Sequence, residues 1–146
     1  MIVEFLEGSG TDRQNRKLKD IWLMQHSEIE NTHDFIQWVF PLNEPSSAVP
    51  GSPVLSVSEI DAIRSSQTAK ENLSKSASWY LNFLSKNQHW VTRYDHNHLR
   101  ITRTLKSLDL LISKKDAVSF KSAIFKILGS RIDLIDTRAM RFWDSV

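Results

Sequence analysis

All four prolines of this chain, Pro41, Pro45, Pro50 and Pro53, fall in the single stretch PLNEPSSAVPGSPVLS, with Gly51 inside it. Proline fixes φ, lacks a donor N–H and pushes the preceding residue out of the helical region. Neither a regular helix nor a central strand can run through such a segment, so it must be a long connection over the surface. The sequence on either side holds no run that alternates apolar and polar residues between turn signals, as a half-buried strand would. Apolar residues recur instead three and four positions apart, the spacing of one helix face. The expected fold is all-α: residues 1–146 form a single domain, a helical bundle of about five to seven helices with one long Pro-rich surface loop.

The helices can be placed in order. The first runs from about Asp12 to Met24, with Leu18, Ile21 and Trp22 on one face. The next starts at SEIE, where Ser27 and Glu30 have the spacing of a capping box, and runs through NTHDFIQWVF until Pro41 stops it. Ile29, Ile36, Val39 and Phe40 share one side of it and Trp38 points nearly opposite, which suits a helix packed between neighbours. Beyond the loop, Ser56 and Glu59 make a second capping box ahead of Ile60 and Ile63. A longer helix spans about Gln67 to Leu84, with Ala69, Leu73, Ala77, Tyr80 and Leu84 in one stripe and Asn87 in the break after it. Asp95 or Asn97 caps the next helix, whose core seam is Ile101, Leu105, Leu108 and Ile112. Asp116 caps a further helix carrying Ala117, Phe120, Ile124 and Ile127, stopped by Gly129. The tail supports one last helix, docked through Ile135, Ala139, Phe142 or Trp143.

Several function classes fall away. With no cysteine there is neither a disulfide framework nor thiolate chemistry, which suits a reducing cytoplasm. No apolar run approaches the ~20 residues that span a bilayer, and MIVEFLEGSG has no secretory-signal pattern. There is no Gly-x-Ser-x-Gly elbow and no glycine-rich phosphate loop. The net charge is only +2, but 4 basic and 10 acidic residues lie in the chain through Asp61, against 15 and 7 from Ala62 onward. Two halves of opposite sign attract one another, and a charged helix face is most often simply solvated.

The stretch DHNHLRITRTLKSL (Asp95–Leu108) sets two histidines beside arginines at the start of a core seam. On a helix His98 borders the seam, whereas His96 falls about 160° away, beside Arg100 and Arg103; helical, the two cannot hold one metal together. Glu30 and His33 have the i, i+3 spacing of carboxylate-bridged metal bundles, but no second Glu-x-x-His occurs. His33-Asp34 also resembles the dipeptide of metal-dependent phosphohydrolases of the HD type. The expectation is therefore no metal and no cofactor. Arg93, Arg100, Arg103, Lys106 and Lys114 form a basic set, yet the tight glycine turn of a helix-turn-helix is missing, so nucleic acid is not the expected partner. Of the five tryptophans, Trp38 and Trp90 stand nearest titratable residues, His33 and His89.

The segments HDFIQWVFPLNEPS (His33–Ser46) and NHLRITRTLKSLDLL (Asn97–Leu111) are similar to the two hallmark stretches of the opioid growth factor receptor conserved domain. The proline loop, the lead-in FLEGSGTDRQNRKLKDI and the C-terminal RFW also sit where that domain has similar segments, so the resemblance runs over essentially the whole chain. It implies kinship with vertebrate proteins described as receptors for an enkephalin-type peptide, associated with the nuclear envelope and with growth inhibition, and unlike the heptahelical opioid receptors. The chain resembles most the bare single-domain versions found in microbes. The resemblance supplies no ligand-contacting residues.

These readings converge on a non-catalytic, cytoplasmic helical module that binds a peptide or protein segment of acidic character, without a membrane span. Where two packed seams meet, their borders meet, so His33, Gln37, His98, Arg100 and Arg103 should rim one groove, with Trp38 or Trp90 as an apolar wall. The same side chains would otherwise serve only to tie the helices by hydrogen bonds. The rival reading is an enzyme using a metal or phosphate ligand at His33, Asp34, His96 and His98, or a protein weakly associated with nucleic acid.

Overall fold

The computed structural model describes residues 1–146. It contains nine α-helices and two short 3-10 turns, with no strand beyond an isolated bridge between Leu42 and Val54. Helix α1 (Ile2–Leu6) precedes α2 (Leu18–Trp22), α3 (His26–Asn31) and α4 (Ile36–Val39); the proline loop leads to α5 (Val57–Arg64), α6 (Gln67–Lys86), α7 (His96–Leu111), α8 (Lys114–Leu128) and α9 (Thr137–Ser145). The expected all-α architecture is what the chain forms. No helix is long and apolar enough to cross a membrane.

Locally signalled boundaries form where the residues ask for them. Ser56 accepts the Glu59 N–H at 3.2 Å while the Glu59 carboxylate accepts the Ser56 N–H at 2.9 Å, a complete capping box at α5. Asp95 caps α7, its carboxylate taking the Asn97 N–H at 2.8 Å. Asn87 ends α6, and Gly129, at φ +55, ends α8 in a backbone conformation that a side chain would strain.

Other boundaries differ from the expectation. The lead-in carries its own helix, α1, whose Ile2, Phe5 and Leu6 are buried; Phe5 lies edge-on to Trp38 with ring centroids 5.5 Å apart. The first expected helix shrinks to Leu18–Trp22, because Asp12 is turned inward, accepting the Arg16 backbone and guanidinium N–H groups at 2.9 and 2.8 Å. The Ser27–Phe40 helix is two helices, separated by residues 32–35. The segment Asn-Thr-His-Asp has weak helix propensity, and Thr32 is extended, at φ −102 and ψ 126. The cap also shifts: Gln25, not Ser27, precedes α3, with the Glu28 carboxylate accepting its N–H at 3.0 Å. Glu30 cannot turn back to Ser27 because it faces side chains from α7 and the α6–α7 connection. Ser113 rather than Asp116 caps α8, Asp116 sitting three residues in.

A single cluster of 31 buried apolar residues joins all nine helices, each through at least two residues except α3 and α9, which join through Ile29 and Trp143 alone. Helix α7 is central. Its Ile101, Leu105 and Leu108 are buried as the seam predicted, it packs on α8, α9, α6 and α5, and its opposite flank grips the segment from α3 to the proline loop.

Candidate ligand groove and its polar hub

That grip consists of side chains of α7 donating to backbone carbonyls at helix C-termini, which have no partners inside their own helices. Arg100 sends Nη1 to the Ile29 carbonyl at 2.8 Å and Nη2 to that of Thr32 at 2.7 Å, closing α3, with its guanidinium over the Phe35 ring at 5.3 Å. One turn on, Arg103 donates from Nε to the Phe40 carbonyl at 2.8 Å, closing α4. Ser107 reaches the Pro41 carbonyl at 2.9 Å. A cation at a helix C-terminus also meets the negative end of the helix dipole. Burial lowers the Arg103 guanidinium to about 10, with the Glu44 carboxylate working the other way.

Between this flank of α7, the α3–α4 segment and the overhanging proline loop lies a groove of about 400 Å³. Of the five residues expected on its rim, His33, Gln37, Arg100 and Arg103 line it and His98 does not; His96 and Lys106 complete a basic wall, and Ser46 and Ser47 of the loop face it. Glu44 is the one acidic lining residue, and Lys106 pairs with it at 3.0 Å. Gln37 is only 5% exposed; its Nε2 donates to the His33 carbonyl at 3.2 Å, but its Oε1 has no partner. A buried acceptor left unmade costs about 1–3 kcal/mol, so a donor arriving in the groove would remove that cost.

At the N-terminal end of α7 a second polar assembly centres on Glu30. Its Oε2 accepts His89 Nε2 at 2.7 Å, its Oε1 accepts Asn97 Nδ2 at 3.0 Å, and His96 Nε2 stands 3.3 Å from Oε1. Burial pushes the Glu30 carboxyl up, but the Asn97 and His89 hydrogen bonds and the neighbouring imidazoles outweigh it and hold the group below its usual range. Asn97, fully buried, takes the Tyr80 hydroxyl at 2.8 Å. Burial pushes the Tyr80 phenol far up.

A model described as the opioid growth factor receptor (OGFr) conserved region matches residues 10–89, more than half of the chain. The chain belongs to this family. It is 32% identical over 105 residues to the opioid growth factor receptor of Homo sapiens, covering 60% of this chain and 15% of that protein. The corresponding Rattus norvegicus protein is 31% identical, with the same share of this chain and 18% of its own length. Opioid growth factor receptor-like protein 1 of Mus musculus is 28% identical over 124 residues, covering 73% of this chain and 26% of the relative. The chain thus spans about a quarter or less of these relatives' length. No solved structure matches it. Of the two segments that carried the resemblance, His33–Ser46 falls inside the matched residues of the OGFr region and Asn97–Leu111 beyond them.

The remaining candidates of this OGFr-family chain lie elsewhere. Trp38 packs on Phe5, and Trp90 is fully buried, donating Nε1 to the Leu84 carbonyl at 2.8 Å; neither lines the groove. Its apolar wall is made instead by Ile36, Leu42 and Leu99. His98 turns into the core, donating to the Trp90 carbonyl at 2.7 Å and lying edge-on to Trp143. His96 stays apart from it, as the helix wheel required, and meets His33 instead, ring centroids 5.4 Å apart. Asp34 is taken by Arg16 at 3.0 Å. His96 and Lys106 were placed on a basic face by sequence but not assigned to the groove. His89 gave only one signal, its place between the two helices whose ends it joins.

Proposed function

We propose that the domain is a binding module for a polypeptide segment bearing an acidic group, seated in the groove between α3–α4 and α7. The observation that carries this reading is the pairing of a basic wall with a buried, unpartnered amide oxygen on Gln37. A peptide supplies both complements: a carboxylate for His33, His96, Lys106 and the edge of Arg103, and a backbone N–H for Gln37 Oε1. Arg–carboxylate hydrogen bonds are charge-assisted and roughly twice as strong as neutral ones. Ile36, Leu42 and Leu99 give the apolar contact that a small site needs. The relatives' name, a receptor for an opioid growth factor, is compatible with a polypeptide ligand.

The test is fluorescence anisotropy with labelled peptide pools that differ only in acidic or lysine content. Saturable binding of the acidic pool, lost in Lys106→Glu and His33→Glu variants that melt like the parent, supports the reading. Equal binding of both pools, or binding indifferent to those substitutions, overturns it.

A further inference from the structure

The groove does not end at α7. Across that helix, between it and α9, lies a second cavity of about 610 Å³. His96, Leu99 and Thr102, three residues apart along the outer ridge of α7, line both hollows. Lys106 of the groove wall also reaches over, its ammonium 5.5 Å from the centre of the Phe142 ring on the far side. The two hollows therefore form one path, with Leu99 at its crest. Where the groove is basic, the second cavity is apolar. Helix α9 turns Trp143 into the core and leaves Phe142 half-buried in the cavity, beside Ala139. Leu99 and Tyr94, which also line it, stay 71% and 69% exposed. Apolar side chains left open together, beside an apolar hollow with a polar rim, mark an interaction surface, unlike leucines scattered singly. Beyond Phe142 the path turns basic again. Arg93, Arg138 and Arg141 line its outer end, and none of the three forms an ion pair within the chain.

Resting on the reading of the groove as a polypeptide site, we infer that one extended segment crosses α7 at Leu99 and runs on to α9. It sets an acidic residue against each basic end and an aliphatic side chain between Leu99, Ala139 and Phe142. An apolar anchor in a pocket with charged groups at its rim is the usual anatomy of a protein interface. The geometry fixes the spacing. A helix with its side chains is about 10 Å across, and extended chain advances about 3.3 Å per residue. Roughly three residues therefore separate each acid from the anchor, in the order acid-x-x-Leu-x-x-acid. Charge favours a polypeptide over a nucleic acid. Asp95 and Asp136 line the middle cavity, where a continuous phosphate backbone would meet them, whereas such a peptide carries its charge only at the two ends. Single strands also stack successive bases on several rings, and Tyr94 is the one aromatic side chain among the exposed large apolar residues.

The experiment titrates the full chain into labelled peptides with neutral residues at x: Glu-x-x-Leu-x-x-Glu, its Ser-centred counterpart and Lys-x-x-Leu-x-x-Lys, read by fluorescence anisotropy. The leucine peptide should bind about 10-fold or more tighter than the serine one, and the lysine peptide should not bind. Leu99→Ser should erase the leucine advantage. Arg138→Glu combined with Arg141→Glu should weaken both acidic peptides, and Lys106→Glu should do the same from the other end. Leu99, Arg138 and Arg141 are exposed, so these variants should melt like the parent. Equal affinity for the leucine and serine peptides, still lost in Lys106→Glu, overturns the crossing and leaves the groove reading standing. No binding of either acidic peptide overturns both. Leucine-selective binding that Leu99→Ser removes and Lys106→Glu does not touch confines the peptide to the α7–α9 cavity and overturns the single path. A labelled single-stranded oligonucleotide that binds more tightly than any peptide, and is released by the Arg138 and Arg141 substitutions, assigns the path to nucleic acid instead.

Discussion

Arg100 Nη2 donates to the Thr32 carbonyl at 2.7 Å, a bond between residues 68 positions apart. With the companion bond to Ile29 it makes one guanidinium the C-terminal cap of a helix that has no glycine to end it. Arg100 is 5% exposed, so it is a tie before it is a ligand contact. Arg100→Ala leaves two carbonyls near α3 without donors, at about 1–3 kcal/mol each. The urea midpoint should fall by an amount equivalent to about 2–5 kcal/mol. Arg100→Lys should recover little, since an ammonium lacks the fork that reaches both oxygens. A midpoint unchanged in Arg100→Ala would show that α3 is capped otherwise.

Arg103 divides differently between structure and ligand. It is half-buried on the groove wall, and only its Nε makes a short bond, to Phe40. Arg103→Ala should cost roughly 1–2 kcal/mol in chemical denaturation, less than Arg100→Ala, because one carbonyl rather than two loses its donor. A loss larger than that of Arg100→Ala would reverse this ranking.

These two arginines also show how far the sequence could be read. The helix wheel placed both on the face of α7 opposite the seam, and they are there. A wheel assigns faces but not what packs on them, so a flank that looked solvated turned out to grip the α3–α4 segment. The same long-range grip explains the missed break at residues 32–35. Periodicity ran through it, but Arg100, about 70 positions away, captures the carbonyls that would otherwise have continued the helix. Local signals fared better: the Ser56–Glu59 box, the Asp95 cap and the Gly129 stop each depend on residues within a few positions. The groove was legible as the meeting of two borders. The Glu30 hub was not, because His89 and Glu30 are brought together only by folding, across 59 positions.

Tyr80 and Asn97 give a pH-dependent prediction. The phenol is buried, donates to Asn97 Oδ1 at 2.8 Å, and has its pKa raised above the ordinary 10.0 by that burial. An acid whose folded pKa is raised contributes stability that is complete below the unfolded pKa and is lost as pH rises above it. Unfolding free energy should therefore decline above about pH 10, where an unfolded tyrosine ionises. In Tyr80→Phe this phenol's share of the decline should vanish, and stability at neutral pH should fall by about 1 kcal/mol because Asn97 Oδ1 loses its shorter donor and keeps only Arg100 Nη1 at 3.4 Å. Spectrophotometric titration of tyrosinate checks the first point: in the folded protein Tyr80 should ionise only together with unfolding.

The α5 cap offers a local control. Ser56→Ala removes the oxygen that accepts the Glu59 N–H at 3.2 Å, at about 1 kcal/mol. Thermal melting should show this modest loss, and binding at the groove should be untouched, since Ser56 does not line it. A variant that lost binding without losing stability would place the ligand elsewhere.

Gln37 separates a built groove from mere helix packing. The structural role of its side chain is one bond, Nε2 to the His33 carbonyl at 3.2 Å, within its own segment. Its Oε1 is buried with no donor in reach, which opposes folding. Gln37→Met keeps the length and apolar stem while deleting the orphaned acceptor and that single bond. If the amide served only to tie helices, the variant should lose stability. If Oε1 awaits a ligand's N–H, the removed desolvation cost of about 1–3 kcal/mol should offset the lost bond of about 1 kcal/mol. The variant should then melt at or above the parent's temperature while its affinity for the acidic peptide pool drops. That opposition, stability held or raised as binding falls, is the signature of a residue kept for function at a cost to the fold. A Gln37→Met protein that melts lower and binds the peptide pool as tightly as the parent would return this residue to the architecture and remove the groove's main claim to a ligand.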